Sequence, residues 1–558
     1  MLVAEGEGVA TAAVEVAPGE ADTVRDDDEV AVGSGAQPAV ASTATAMTAP
    51  ATAVVRARRA GMTIRTPPRV GSSSTLTGPG RADVRAGGYR DDVAGQMQRE
   101  ERLVLLIAIL GSFVSFLDGT VVNVALPAIA RDLGGGLTTQ QWVVDAYLLT
   151  LGALILTAGS LSDLFGRVVV LRVGLIGFGI ASVAIAAAPD PLLLIVARAV
   201  QGVAGALLVP SSLALITATF RGAARGRAIG IWTASTTVAM LIGPLVGGLF
   251  VDLLSWRLVF LVNLVPIAIT LWLLVVLGHR DERLPGASVD WWGAILCTAG
   301  LGGIVFALIE HENLGWSSPL IRGALIVGVL SFGGFLVRQR VAPHPMMPLD
   351  LFRVRNFWAG NLATFFVYAA LAIPTLVLSV YLQQAAGWPA TLAGLATLPI
   401  TILMVLLSSA AGTLAGRLGP RLFMTIGPLG MAAGAAMMRG ISEDLNYGMQ
   451  ILPALLVFGV GLSATVAPLT AAILGAVEPA RSWIASAVNN AVARVAGLAA
   501  VAMLGVITGG ALDLNGLHRA ALVTAALMVV GALISFAGIR NAPHSKTPHP
   551  NAPRPKTA

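Results

Sequence analysis

The stretch Leu117, Asp118, Gly119, Thr120, Val121, Val122, Asn123, Val124, Ala125, Leu126, Pro127 sets one carboxylate inside an apolar run long enough to span a bilayer. A charge at the bilayer centre costs at least about 2.5–3.5 kcal/mol, so Asp118 has to be protonated, paired or facing water. Two readings follow. Asp118 is either a hydrogen-bonded helix-packing residue or an acid that handles a proton or cation, and at this depth the functional reading comes first.

The rest of the chain supplies the membrane. Of 558 residues 56% are hydrophobic and 12% charged, a composition of polytopic membrane proteins that leaves no place for a sizeable water-soluble catalytic domain. Cys297 is the one cysteine, which rules out an intrachain disulfide and a cysteine metal site. Lysine occurs at Lys546 and Lys556 alone, so there is no Walker lysine and ATP drive is not encoded. The abundance of Arg and Ala beside so little Lys points to a GC-rich, bacterial source. The net charge of +6 does not indicate nucleic acid, because the arginines fall in alternate loops. Glu310, His311 and Glu312 look like metal ligands but have no further ligand in spacing, and read as a solvated loop.

From Leu103 the chain runs through fourteen apolar segments of about 20 residues, the length a helix needs to cross the hydrocarbon. The first is read as 103–126, the seventh as 290–309 and the thirteenth as 482–508. One set of loops is rich in arginine, from Arg99 and Arg102 through Arg280 and Arg283 to Arg540; the opposite set has Arg131, Arg257, Arg439 and Arg519. The positive-inside rule makes the first set cytoplasmic, and an even number of spans then puts both termini inside. Residues 1–96 carry no sustained helical or strand period and read as a disordered tail, with Met97 an alternative start. Residues 541–558 form a second such tail.

An internal echo divides the membrane part. Gly159, Leu161 and Gly166 after the second span correspond to Gly412, Leu414 and Gly419 after the tenth. The organisation expected is a six-helix bundle over 97–277, an inserted helix pair and linker over 278–345, and a second six-helix bundle over 346–540.

Five motifs in order carry a family resemblance: the Asp118–Pro127 run; Gly159, Asp163, Gly166 and Arg167; Arg198, Gln201, Gly202 and Gly205; Gly243, Pro244, Gly247 and Gly248; and Trp256, Arg257, Phe260, Asn263 and Pro266. Together they resemble the fourteen-helix drug:proton antiporter branch of the major facilitator superfamily, over nearly everything from Leu103 to Arg540. The resemblance implies an all-α integral membrane protein of the major facilitator fold, two six-helix bundles plus two inserted central helices, working by proton-coupled export of small molecules. It implies proton coupling at Asp118 and Arg198, the Arg being the counter-ion that a proton or cationic substrate displaces. It implies conformational gating at Gly159, Asp163, Gly166 and Arg167, where Leu164 and Val168 replace the basic residues usual in the family, and at Gly243, Pro244, Gly247 and Gly248.

Depth along the helices is compatible with pairing, since Arg198 and Asp118 lie roughly 9 and 12 Å below the outer ends of their segments. Asp145 is a second acid, about one turn deep, expected to line the external mouth or to reach the solvated interface. Asn123, Asn361, Phe365, Tyr368, Tyr381, Gln383, Asn489 and Arg494, with Asp145, are the candidate cavity lining, each equally readable as helix glue. The partners expected are a lipophilic small molecule, protons and the bilayer, with no cofactor, no metal, no nucleic acid and a monomeric state. The rival functions are a dedicated exporter of one metabolite or self-made antibiotic, and a transport-incompetent membrane sensor or scaffold. No nucleophile and base constellation supports an enzyme.

Overall fold

A computed structural model describes residues 82–278, 288–478 and 481–541, with side chains from Gln98 onward. Each apolar segment is helical, as a lipid-exposed backbone must be to satisfy its own N–H and C=O groups. The first seven spans are α1 (Ala82–Leu133), α2 (Gly136–Phe165), α3 (Arg167–Ala186), α4 (Pro191–Thr219), α5 (Gly222–Leu253), α6 (Leu258–Leu277) and α7 (Trp291–Leu314). The remaining seven are α8 (Pro319–Val341), α9 (Arg355–Gln384), α10 (Ala390–Leu418), α11 (Pro420–Gly440), α12 (Tyr447–Leu474), α13 (Ser482–Ala502) and α14 (Leu514–Gly538). All fourteen are long and apolar enough to cross a membrane. Short polar side chains start several of them: Asp190, Asp290 and Asp513 accept backbone N–H groups of Leu193, Gly293 and Gly516 at 2.9, 3.0 and 2.7 Å.

The internal echo has a backbone counterpart. Gly166 between α2 and α3 has φ 99° and ψ 145°, and Gly419 between α10 and α11 has φ 89° and ψ 147°. A side chain would be strained at either, so the repeated glycine marks a repeated turn.

Helices α1, α2 and α3 each pack on α4, with α5 and α6 against α1; α9 packs on α13 and α14, and α12 on α10 and α11. Between these groups the main contacts are α5 with α10 and α2 with α13. Helices α7 and α8 pair closely through Gly300, Gly303 and Gly328, where an added Cβ would stand 2.7 Å from the Phe332 nitrogen, 2.6 Å from the Ala324 carbonyl and 2.7 Å from the Ile304 nitrogen. Asp290 staples their arginine-rich ends, accepting from Arg338 Nε at 3.0 Å and Gln339 Nε2 at 3.1 Å. Helix α7 packs on α2 and α13, and its Glu310 Oε1 accepts from Trp142 Nε1 of α2 at 2.7 Å.

Several expectations are corrected. Helix α1 begins at Ala82, inside the stretch read as tail, because an already nucleated helix extends through Ala-, Arg- and Asp-rich sequence without a new nucleation cost. The tails over 1–81 and 542–558, and Arg280 and Arg283, lie outside the described residues. Glu310, His311 and Glu312 form the last turn of α7 rather than a loop, and His311 stacks on Trp316 at 4.5 Å. Arg322 at the start of α8 joins the arginine-poor set of ends. The thirteenth segment is interrupted at Met503, resuming over Leu504–Thr508 and stopping at Gly509 and Gly510, both with positive φ. Helix α6 is interrupted at Val262 and Asn263, because Pro266 has no N–H for the Val262 carbonyl.

Leu at position 300 or 303 should overpack the α7–α8 contact, at a cost of about 1–3 kcal/mol. Heating detergent-solubilised protein and counting the monodisperse fraction should show Gly300→Leu and Gly303→Leu melting several degrees lower. Gly323→Ala, with open space around it, should melt with wild type.

Candidate functional site

Asp118 is fully buried on α1, and three side chains from two other helices point donors at it. Arg198 NH1 on α4 donates to Oδ2 at 2.7 Å; Gln201 Nε2, one turn along α4, donates to Oδ1 at 3.2 Å; Asn263 Nδ2, in the break of α6, donates to the same Oδ1 at 3.1 Å. All four side chains are at most 2% exposed. The spacing of Arg198 and Gln201 at i and i+3 puts both on one helix face.

The guanidinium is held from other directions too. Its Nε donates to the Val143 carbonyl of α2 at 2.8 Å, NH1 is shared with Gln201 Oε1, and the plane lies 4.4 Å over the Tyr147 ring, with Phe260 at 5.7 Å. Tyr147 is fixed in turn by a 2.9 Å hydrogen bond between its hydroxyl and Ser115 Oγ on α1. This use of planar donors and a stacked face suits arginine and not lysine. Gly202 and Gly205 serve the same arrangement, since a Cβ at 202 would fall on the Thr150 hydroxyl and the Tyr147 carbonyl, and one at 205 would be 3.1 Å from the Tyr147 hydroxyl.

Sequence reasoning left Asn263 without chemistry and gave Gln201 no role. The signal was present: an amide inside an apolar span, three residues before a proline that opens the helix. The turn leading into α6 is fixed by Asp132, which accepts from Trp256 Nε1 at 2.9 Å and Arg257 NH1 at 2.6 Å. That contact ties the outer end of α1 to α6 and sets where Asn263 stands.

Asp145 departs from expectation. It is neither at the mouth nor solvated: it is fully buried on α2, and neither carboxylate oxygen has a hydrogen-bond partner among the described residues. Depth alone placed it near an interface, but the outer ends of α2 and its neighbours continue beyond the apolar core that the hydropathy marked.

The cavity candidates do not form one wall. Asn489 Nδ2 donates to Thr364 Oγ1 at 2.8 Å and to Asn361 Oδ1 at 3.3 Å, joining α13 to α9. Arg494 is half-buried on α13, beside Gly152 of α2 and an electrostatic neighbour of Tyr147 and Tyr368, with no ion pair among the described residues. Phe365 borders an apolar cavity of about 500 Å³ between α9, α13 and α14, where Arg519 is the charged lining group. Tyr381 lies about 30 Å along α9 from Asn361, buried in the apolar core, and Gln383 bonds back to the Ser379 carbonyl at 3.2 Å. Asn123 is half-buried on α1, about 7.5 Å along the axis from Asp118.

The two glycine motifs have distinct settings. In α5, Gly243 and Gly247 face Thr120 and Val121 of α1, directly beyond Asp118, while Gly248 faces Ala390 and Thr391 of α10. Reciprocally, a Cβ on Gly394 of α10 would be 2.6 Å from the Pro244 carbonyl. These contacts close the arginine-poor end of the α5–α10 seam. At the arginine-rich end Gly226, Gly230 and Gly416 have open space beside them. Gly159 faces Trp483 of α13 at 4.0 Å, and Asp163 and Arg167 flank the positive-φ Gly166, both half-buried.

The fold and the site can be set beside known proteins. The family model of the Major Facilitator Superfamily matches residues 108–501. The chain belongs to that superfamily. A puromycin resistance protein of Streptomyces alboniger is 36% identical over 412 residues, covering 73% of this chain and 82% of that protein. The multidrug efflux pump LfrA of Mycolicibacterium smegmatis is 36% identical over 412 residues, covering 72% and 78%. Among solved structures, a peptide transporter POT in complex with sulfate superposes with a TM-score of 0.60 at 16% identity, over 78% of this chain and 94% of that one. The chain is thus a multi-pass membrane transporter of the drug and antibiotic efflux group, and not an enzyme.

Removing one partner of a buried ion pair strands the other charge, at a cost of about 3–5 kcal/mol. Arg198→Ala should therefore lower thermal stability sharply. The double variant Asp118→Asn with Arg198→Ala should lose less than the sum of the two single variants, and simple addition of those two losses would contradict the pairing.

Proposed function

We propose that the chain is a proton-coupled antiporter of the cytoplasmic membrane that exports hydrophobic, cationic or amphipathic small molecules in exchange for protons. The observation that carries this reading is the fully buried Asp118, whose counter-ion is the equally buried Arg198 at 2.7 Å. Such a pair adds little to stability compared with well-packed apolar residues. Its use is as a switch.

A proton bound at Asp118 Oδ2 takes the place of the charge-assisted bond from Arg198 NH1. The guanidinium stays where it is, because the Val143 carbonyl, Gln201 Oε1 and the Tyr147 ring still hold it. The neutral acid then binds Gln201 and Asn263 less strongly, which loosens the junction of α1, α4 and α6. A cationic substrate competes for the same carboxylate charge, so proton and substrate exclude one another and exchange follows. Protonation belongs to the outward-open state and proton release to the inward-open one, with the two halves rocking about the centre. Asp145, buried on the neighbouring α2, is a second acid within the same half. The energy source is the proton gradient, and no cofactor is required.

A second reading is a dedicated exporter of one compound, and it is favoured by a relative named for resistance to a single antibiotic, puromycin. Both readings share the coupling chemistry and differ in substrate range.

Inverted membrane vesicles energised by respiration test them together. Adding lipophilic cations, and separately puromycin, should release protons in wild type. Asp118→Asn should give at least about a hundredfold lower proton-coupled flux, the scale of about 2.7 kcal/mol, with unchanged protein in the membrane. Undiminished flux in Asp118→Asn would refute the coupling role, and a response to puromycin alone would favour the dedicated exporter.

A further inference from the structure

Helix α10 lacks an N-cap of its own. Pro389 stands at that position and offers no side-chain acceptor, which leaves the first backbone N–H groups of α10 in need of partners. They find one on the other side of the seam. Asp252, next to the last residue of α5, accepts from the Ala390 N–H through Oδ1 at 2.9 Å, and from the Thr391 N–H and Thr391 Oγ1 through Oδ2 at 2.7 and 2.6 Å.

We infer that Asp252 is the outer-gate residue of the transporter: its carboxylate caps α10 in trans and holds the arginine-poor ends of α5 and α10 together in the state seen here. Two further observations support this. The cap sits directly beyond the close approach of Gly248 to Thr391 and of Gly394 to Pro244, so the backbones are already near enough for a short side chain to bridge them. Gly226, Gly230 and Gly416, toward the arginine-rich ends of the same two helices, have no neighbour within 4 Å of an added Cβ, in contrast to the close approaches at Gly248 and Gly394. A carboxylate suits the task, because it is an acceptor for several donors at once and its charge complements the positive end of the helix dipole. When the outer ends part, Asp252 and the α10 amides are each left to water, and the same three bonds re-form on closure. Asp252 is a positioning residue and needs no contact with substrate or transported proton.

This inference rests on the alternating-access reading, and the test separates the two. In full-length protein with Cys297→Ala, labels on Leu253→Cys and Leu392→Cys, both exposed at the seam, report the gate distance by pulsed electron spin resonance. Asp252→Ala should enlarge the long-distance population relative to the short one by roughly 2- to 30-fold, the range of N-cap substitutions. Asp252→Asn, which keeps one acceptor oxygen and the side-chain volume, should fall between Asp252→Ala and wild type; Thr391→Val, which loses the hydroxyl alone, should shift less than Asp252→Ala. Distributions in Asp252→Ala and Asp252→Asn that superimpose on wild type would overturn the latch. Should Asp252→Ala fail to fold, Asp252→Asn decides by the same criterion. Because the readout is a distance and needs no substrate, loss of Asp118-dependent proton flux would leave the latch standing, and a latch that fails would leave the coupling role of Asp118 untouched.

Discussion

A buried charge in a low-dielectric surrounding has to be paired, and the pairing of Asp118 with Arg198 imposes its geometry on the helices around it. Two helices contribute three side chains to one carboxylate carried on a third, and a fourth supplies a carbonyl and an aromatic face to the guanidinium. Gly202 and Gly205 of α4 are small because Tyr147 and Thr150 of α2 must come close enough to complete that shell. The break in α6 at Asn263 makes sense in the same terms, since a regular helix there would have no special reason to turn an amide toward Asp118. Removing the charge pair would remove the reason for most of these choices.

The same physics links the centre to the seam. Helix α5 touches α1 through Gly243 and Gly247 just beyond Asp118, and touches α10 through Gly248 and Asp252 a turn or two farther out. One helix, with Pro244 inside it, thus makes close contacts both beside the buried carboxylate and at the seam. Helix α7 of the inserted pair lies against α2 and α13, the other seam, where Trp142 and Glu310 anchor it. The two seams thus differ: one is covered by extra helices and the other is held by glycine contacts and a helix cap.

Much of the fold could be read from the sequence because hydropathy in a bilayer is a strong, local signal: fourteen runs are fourteen helices, and Gly166 and Gly419 share a turn as their shared spacing suggested. The juxtaposition of Asp118 and Arg198 was also legible, since depth follows from rise per residue and an unpaired charge needs a partner. What was not legible depends on azimuth. The face of α6 that carries Asn263 and the place of Gln383 and Tyr381 far along α9 from Asn361 are set by helix rotation and breaks, which composition does not encode. Asp145 shows the limit of depth as a guide: a residue near the end of an apolar run is solvated when its helix ends there and buried when the helix and its neighbours continue. Asp252 was invisible for another reason, because its partners are backbone amides of a helix 138 residues away.

In the proposed cycle one carboxylate, that of Asp118, exchanges a proton for the substrate. Infrared difference spectroscopy on the purified full-length protein, with and without a lipophilic cation, reads that step at the group itself. Loss of a protonated carboxyl band on substrate binding, present in wild type and absent in Asp118→Asn, is the result expected. A carboxyl band that responds identically in Asp118→Asn would place the exchange on another acid and contradict the claim.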